Sequence, residues 1–417
     1  MANLIDLCKK SYPVGLFGVP PEITDESIRM AAETGANFFV SGGSSPLMLE
    51  LCGKYGLGLI STSNFELWWG GFGDNAGTYE NHLPLGKMDE IKKTYPESPA
   101  LWGDYPVDEP SCKDFLHINK VLKRYMELFP DKLPFINLHP AQACKLKSAE
   151  GNVPLGCKLY SEYIDFYVRD IELPYIAFDN YPLTNLNHDF DMYLENLDTV
   201  ARACKKSGKE MWVIPAAGAF RAEQNPAAFQ IDWQTYMCLA YGARAIIHAC
   251  YSKNWWDEST SCINSKGEKN PTYDHVKDIN AVLHSPLGTE FLKYRHIHTE
   301  VCGDIGSAHG MMVPQFKRQN WGERPEGTPD IKIDCDKTAV VGYFAKMDGG
   351  GFAAMVTNSH NPFEESVTAN VELTPKGGEK TIKTNIYGGG KISGSVKNSA
   401  AHLTLKSGQG AFVTFEY

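Results

Sequence analysis

A chain of 417 residues, 43% hydrophobic and 22% charged, has room for two domains or for one large barrel with a small appendage. Its formal net charge of -10 argues against nucleic acid and anionic membranes as partners, since both recruit proteins through basic patches. No apolar run reaches the ~18 residues of a membrane span. The 11 cysteines are scattered, with no CxxC pair of zinc-site spacing. Several fall in helical patterns, where Cys acts as a small hydrophobe. The first residues lack the charged-then-apolar order of a signal peptide. The chain therefore reads as cytoplasmic, although one trimmed of its signal would look the same.

Val14 to Val19 reads as a short strand stopped by Pro20-Pro21, and Thr24-Asp25-Glu26 opens a helix that runs to Gly35. Asn37 to Val40 is a second strand, with a helix through Leu47, Leu49, Leu51 and Tyr55 behind it. Gly58 to Ser61 is a third. The segment after it, Asn64 to Thr78, is longer than an ordinary strand-to-helix loop, and long loops usually carry function. The fourth strand starts at Leu101 and runs into the adjacent acids Asp108 and Glu109. Pro110 stops it, because proline cannot donate to a ladder. Lys113 to Phe129 then has helix-spaced apolar residues. The fifth strand is Leu133 to Leu138, the sixth Tyr175 to Phe178, the seventh Met211 to Ile214 and the eighth Ala245 to Ala249. Helices fill the intervals, and a last one covers Tyr273 to Leu283 and beyond.

Strands alternating with helices predict a parallel sheet, and eight such units predict a (β/α)8 TIM barrel, of the α/β class, over residues 1–308. A doubly wound sheet is the runner-up, but the first strand-helix turn has no GxGxxG. Near residue 309 helical periodicity ends. Alternating segments such as Ala339 to Ala345, Gly351 to Thr357 and Ala411 to Tyr417 follow, separated by Gly-rich turns. They predict a C-terminal antiparallel β-sandwich over 309–417, an accessory domain.

Ligands of a parallel α/β fold bind at the carboxyl ends of its strands. The residues there are Glu66, Trp68, Trp69, Tyr105, Asp108, Glu109, Asn137, His139, Asp179, Asn180, Tyr181, Arg221, Tyr251, Trp255 and Trp256. Most of the ionisable groups are carboxylates, and their Asn, His, Tyr and Trp neighbours suit hydroxyl groups and sugar faces. Two carboxylates across a cleft are the minimum for glycoside hydrolysis. One protonates the leaving oxygen; the other attacks the anomeric carbon or activates water. A metal hydrolase would want His-x-His at a strand end, and a Schiff-base aldolase a Lys within a strand. Neither is found, so no metal and no organic cofactor is implied. His296 and His298 fall in the late helical region and read as structural. Glu109 is the expected general acid, its pKa raised by burial beside Asp108; a helix cap is the competing reading of either acid. In each pair, Trp68-Trp69 and Trp255-Trp256, one ring is expected to pack and one to face the cleft.

The series GDYPVDEP (103–110), PFINLHP (134–140), AFDNYPL (177–183), DWQTYMCLAYGARAIIHACY (232–251) and NPTYDHVKDINAVL (270–283) resembles barrel glycoside hydrolases. The resemblance is to the broad retaining clan of β-galactosidases and cellulase-like enzymes, and more closely to bacterial glycosyl-hydrolase-like proteins. It covers most of residues 12–300. It implies hydrolysis of a carbohydrate, with a β-linked glycan as the expected class and Glu109 in the place of the clan's acid/base. Asp108 stands where that clan usually has Asn. The clan's nucleophile is a Glu at the end of the seventh strand, but here that end reads Val213-Ile214-Pro215-Ala216-Ala217-Gly218-Ala219-Phe220, without an acid. The partner carboxylate is therefore expected elsewhere, from Asp179 first and then Glu66 or Glu223. Two other readings stay open. One is a non-catalytic carbohydrate-binding protein on a decayed barrel. The other is a sugar-acid lyase or isomerase, with Arg221 holding the carboxylate.

Overall fold

The computed structural model describes residues 11–148, 151, 153–184, 190–334, 336–376, 382–390 and 392–417. The chain forms two compact units: residues up to Asn225 with Ala245–Asp274, and Pro226–Arg244 with His275–Tyr417.

Eight strands share one parallel sheet: β1 Val14–Phe17, β2 Phe38–Val40, β3 Gly58–Ser61, β4 Leu101–Asp108, β5 Leu133–Asn137, β6 Tyr175–Asn180, β7 Glu210–Pro215 and β8 Ala243–Ala249. The helix after each takes the same number: α1 Asp25–Glu33, α2 Pro46–Tyr55, α3 Lys87–Thr94, α4 Phe115–Leu128, α5 Tyr160–Asp170, α6 Tyr193–Ser207, α7 Ala228–Ala240 and α8 Pro271–Leu283. Strands covered on both faces read as continuous apolar runs. β1, β2 and β3 are accordingly buried at every position. The pairing order is β6–β7–β8–β1–β2–β3–β4–β5. The parallel bridge Leu138–Phe178 brings the end of β5 back to β6. This is the cyclic order of a TIM barrel, not of a doubly wound sheet. A further two-residue strand, Trp68–Trp69, lies beside β4 and pairs Trp68 with Val107 and Trp69 with Asp108. Local chemistry fixes the helix ends. Thr24 caps α1, Ser45 caps α2 ahead of Pro46, and α2 ends on Gly56 at φ 71°.

The second unit holds the antiparallel strands β9 Tyr294–Gly303, β10 Asp330–Ile333, β11 Thr338–Lys346, β12 Gly351–Asn358, β13 Thr368–Thr374, β14 Lys383–Tyr387, β15 Ser393–Lys397, β16 Ala400–Lys406 and β17 Gly410–Glu416. They form two sheets, β9–β11–β12–β17–β14 and β10–β13–β16–β15. Val341, Tyr343, Val356, Val371, Leu373, Leu403, Leu405 and Val413 fill the sandwich between them. Within this unit α7 approaches β11 and β12 closely. Thr357 Oγ1 donates to Tyr236 O at 3.1 Å, and a Cβ on Gly342 would stand 1.9 Å from Ala240 O.

The antiparallel part thus begins at Tyr294, before the expected boundary at 309, and α7 belongs to the same compact unit. The helical reading of His296 and His298 is corrected: both lie on β9. Tyr294–Gly303 mixes charged and apolar residues without a clear period. Its pairing with β11, buried over its first seven positions, decides its conformation.

Candidate active site

The site grows from the end of β4. Successive strand residues face opposite sides, so Asp104 and Tyr105 part company. Tyr105 points into the barrel, edge-on to Phe17 and Phe135, and its hydroxyl donates to Asp108 Oδ1 at 2.5 Å. Asp104 points outward and is fully buried. It accepts from Asn64 Nδ2 (2.7 Å), from Tyr125 OH (2.6 Å) and from Tyr95 OH. Burial pushes its carboxyl up to about 6, against the pull of those donors.

At Glu109 the backbone turns to φ 48°, a left-handed conformation unusual for a residue with a side chain. Its N–H is held by Asn137 O at 2.8 Å. The register pairs Asp108 with Asn137 on β5, and Asn137 Nδ2 donates to both Asp108 Oδ1 (3.1 Å) and Asp179 Oδ1 (2.9 Å). One amide therefore gathers acids from β4 and β6. Two residues beyond Asn137, His139 Nδ1 lies 3.6 Å from Glu109 Oε1. On the other side Trp69 Nε1 donates to Glu109 Oε2 at 2.7 Å. Glu109 keeps 21% of its side chain exposed, whereas Asp179 is buried.

The three carboxyls divide their protons unevenly. Burial pushes Glu109 up, but the His139 ring beside it and the Trp69 N–H outweigh burial, and Glu109 ends below its ordinary value. Burial and then the Glu109 charge push Asp108 up to about 7 and Asp179 well above its ordinary value. Like charges in one desolvated site do not all ionise. The expectation of a raised Glu109 is thereby reversed: Glu109 is the most readily ionised of the three, and the aspartates keep their protons to higher pH.

Both tryptophan pairs divide in the same way. Trp68 is buried against Tyr79 while Trp69 is 42% exposed. Trp256 is buried against Phe220 and Tyr181 while Trp255 is 42% exposed. Trp69 reaches the carboxyls through Glu109. Trp255 lies beside Tyr181, whose phenol is raised above all by burial.

Other expected residues stand apart from this cluster. Glu66 points to solvent and pairs with Lys87 at 3.4 Å, because φ 55° turns it away from the strand end. Asn180 is buried and braces α6, donating to Tyr193 O (3.3 Å) and accepting from Asn196 (3.4 Å), so it does not orient Asp179. Tyr251 packs on Phe39, with Cys262, Tyr273 and Glu33 as its electrostatic neighbours. Arg221 and Glu223 are exposed in the loop after β7.

Three supporting residues escaped the sequence reading. Asp104 is one. Asp114 is buried and accepts from Gly77 N (2.8 Å) and Tyr79 N (3.0 Å), which clamps the loop bearing Trp69. Gly70 is the third: its N–H bonds Asp108 O at 2.9 Å, and a Cβ there would stand 1.9 Å from Glu109 O. The only sequence signal for them was an Asp inside an apolar strand and glycines in a long loop. Among the described residues, no group of three or more His, Cys, Asp or Glu could hold a metal ion. Nor is any described helix long and apolar enough to cross a membrane.

No protein-family model matches the chain, and no curated protein matches it. Several solved structures are similar in fold. A glycoside hydrolase family 30 subfamily 8 xylanase from Clostridium acetobutylicum aligns over 98% of this chain and 96% of its own, at 8% identity and TM-score 0.45. A putative α-L-fucosidase from Bacteroides thetaiotaomicron aligns over 65% and 96%, at 13% identity and TM-score 0.44. A β-glucuronidase from Ruminococcus gnavus aligns over 65% and 50%, at 9% identity and TM-score 0.44. None reaches a TM-score of 0.5, and the barrel assignment rests on the strand pairing itself.

Proposed function

We propose that the protein hydrolyses a glycosidic bond of a carbohydrate at the β4–β6 carboxyl cluster, with the β-sandwich as an accessory domain. The observation that carries this reading is the gathering of three acids of unequal proton affinity: Asn137 Nδ2 donates to Asp108 Oδ1 and Asp179 Oδ1, Trp69 Nε1 donates to Glu109 Oε2, and Glu109 is lowered while both aspartates are raised. Glycoside hydrolysis needs a proton donor and an ionised carboxylate in one site. In this assignment Glu109 acts from its charged form, as base or nucleophile, and Asp179 supplies the proton to the leaving oxygen. Asn137 fixes Asp179, His139 and Trp69 hold the charge on Glu109, and the exposed faces of Trp69 and Trp255 offer platforms for sugar rings. A β-linked glycan is the preferred substrate class. The sugar-acid reading loses support, since its cation, Arg221, is exposed on a loop.

The acid-free end of β7, Pro215-Ala216-Ala217-Gly218, favours a second reading, carbohydrate binding without turnover. Activity of wild type, Glu109→Gln and Asp179→Asn on a panel of α- and β-linked aryl glycosides separates the two. Hydrolysis by wild type, with each variant reduced about 10²–10⁴-fold, is expected. A wild type that binds sugars by calorimetry and cleaves none of them sinks the hydrolase reading. Near-normal turnover by Asp179→Asn transfers the proton-donor role to Asp108.

A further inference from the structure

Two cysteines meet just behind the site. Cys112 opens the turn that follows Glu109-Pro110-Ser111, and Cys157 lies in the loop between β5 and α5, the loop that begins with His139. The two chain segments are tied by a hydrogen bond from Cys112 N to Leu155 O at 3.0 Å. Gly156, at φ 74°, brings them closer still: a Cβ on it would stand 2.3 Å from Ser111 Oγ and 3.0 Å from Cys112 Sγ. The thiols of Cys112 and Cys157 lie within hydrogen-bonding reach of each other, and both residues are free and partly exposed. By contrast Cys250 and Cys262, which also influence each other, are buried. The neighbouring Cys157 thiol, and then the Lys113 charge, favour the Cys112 thiolate, and the Cys157 thiol itself donates to Leu159 O at 3.5 Å. The thiolate is the nucleophile of disulfide exchange.

We propose that Cys112 and Cys157 are a paired oxidation site that closes to an intramolecular disulfide by exchange with a small disulfide such as oxidised glutathione. The Cys112 thiolate attacks one sulfur of the oxidant, forming a mixed disulfide and expelling one glutathione thiolate. Cys157 loses its proton and attacks the Cys112 sulfur, expelling the second. The protein loses two electrons and two protons, and the oxidant leaves as two molecules of glutathione. The bridge ties the turn presenting Glu109 to the loop presenting His139. This inference stands on the thiols alone and does not depend on the proposed hydrolysis.

The purified full-length chain is brought to equilibrium with oxidised glutathione, quenched with an alkylating agent, digested and analysed by mass spectrometry. A peptide pair joining Cys112 to Cys157, reversed by dithiothreitol, is expected, with a rise in Tm of about 5 °C from closing the loop. Cys157→Ser should stop at a glutathione adduct on Cys112, and Cys112→Ser should give no bridge. A wild type that accumulates the Cys112 adduct, or in which both thiols remain alkylatable at equilibrium, overturns the proposal.

Discussion

Replacing Tyr105 by Phe removes one hydroxyl from beneath the carboxyl cluster and leaves the ring in place, edge-on to Phe17 at 6.0 Å and Phe135 at 5.0 Å. The bond lost is the 2.5 Å donation to Asp108 Oδ1. Hydrogen bonds to charged groups contribute about 1.5–3 kcal/mol, and one pKa unit corresponds to about 1.4 kcal/mol. The Asp108 carboxylate therefore loses stabilisation equivalent to about one to two units. The direction is upward, because the hydroxyl favours the charged form. Asp108 stands at about 7, so the variant should titrate at about 8–9. Carboxyl ¹³C resonances of aspartate-labelled protein report this directly, with Asp108→Asn assigning the signal. A titration midpoint that stays put or falls would refute the claim that Tyr105 holds the Asp108 charge.

Three further perturbations test the neighbouring structure. Trp69→Phe deletes the 2.7 Å bond to Glu109 Oε2, which should raise the Glu109 pKa and move the acidic limb of kcat/KM upward; an unmoved limb means that Glu109 is not the ionised group. Asp104 has a folded-state value of about 6 against an ordinary 3.8, so its contribution to stability is full below the ordinary value and is lost as pH rises through about 6. The urea-derived stability of wild type relative to Asp104→Asn should fall by about 2 kcal/mol between pH 4 and pH 7, and a difference that stays flat over that range counts against a buried, proton-holding Asp104. Gly342→Ala places a methyl 1.9 Å from Ala240 O, a backbone atom with little room to yield, and should cost about 1–3 kcal/mol in urea unfolding. An unchanged midpoint would show that α7 is not seated on β11.

The barrel was legible because doubly covered strands such as Val14–Phe17 and Phe38–Val40 are unbroken apolar runs, closed by Pro or Gly. Asp108, Glu109, Asn137 and Asp179 were legible as a group because each stands where a strand ends. What the chain hid depends on partners distant in sequence. Asp104 is indistinguishable from a site acid until Asn64, Tyr95 and Tyr125, from three separate segments, are seen around it. Asn180 follows Asp179 directly, yet the strand alternation turns it towards Asn196 instead. β9 was missed because its pairing with β11, rather than its own pattern, makes it a strand.

The ionisation of Glu109 was the hardest feature to foresee, and its origin bears on the empty seventh strand end. Consecutive residues of a strand normally face opposite sides, so Asp108 and Glu109 could not share a site on a regular β4. The turn to φ 48° at Glu109, held by Asn137 O, brings both acids under one electrostatic influence. The same pairing of β4 with β5 brings His139 to Glu109 and Asn137 to both aspartates. Charge and protons thus come from three adjacent strands, β4 to β6. On the proposed reading, an acid at the end of β7 is not required: the carboxylate such an acid would provide is already held on Glu109, and the proton donor sits on β6.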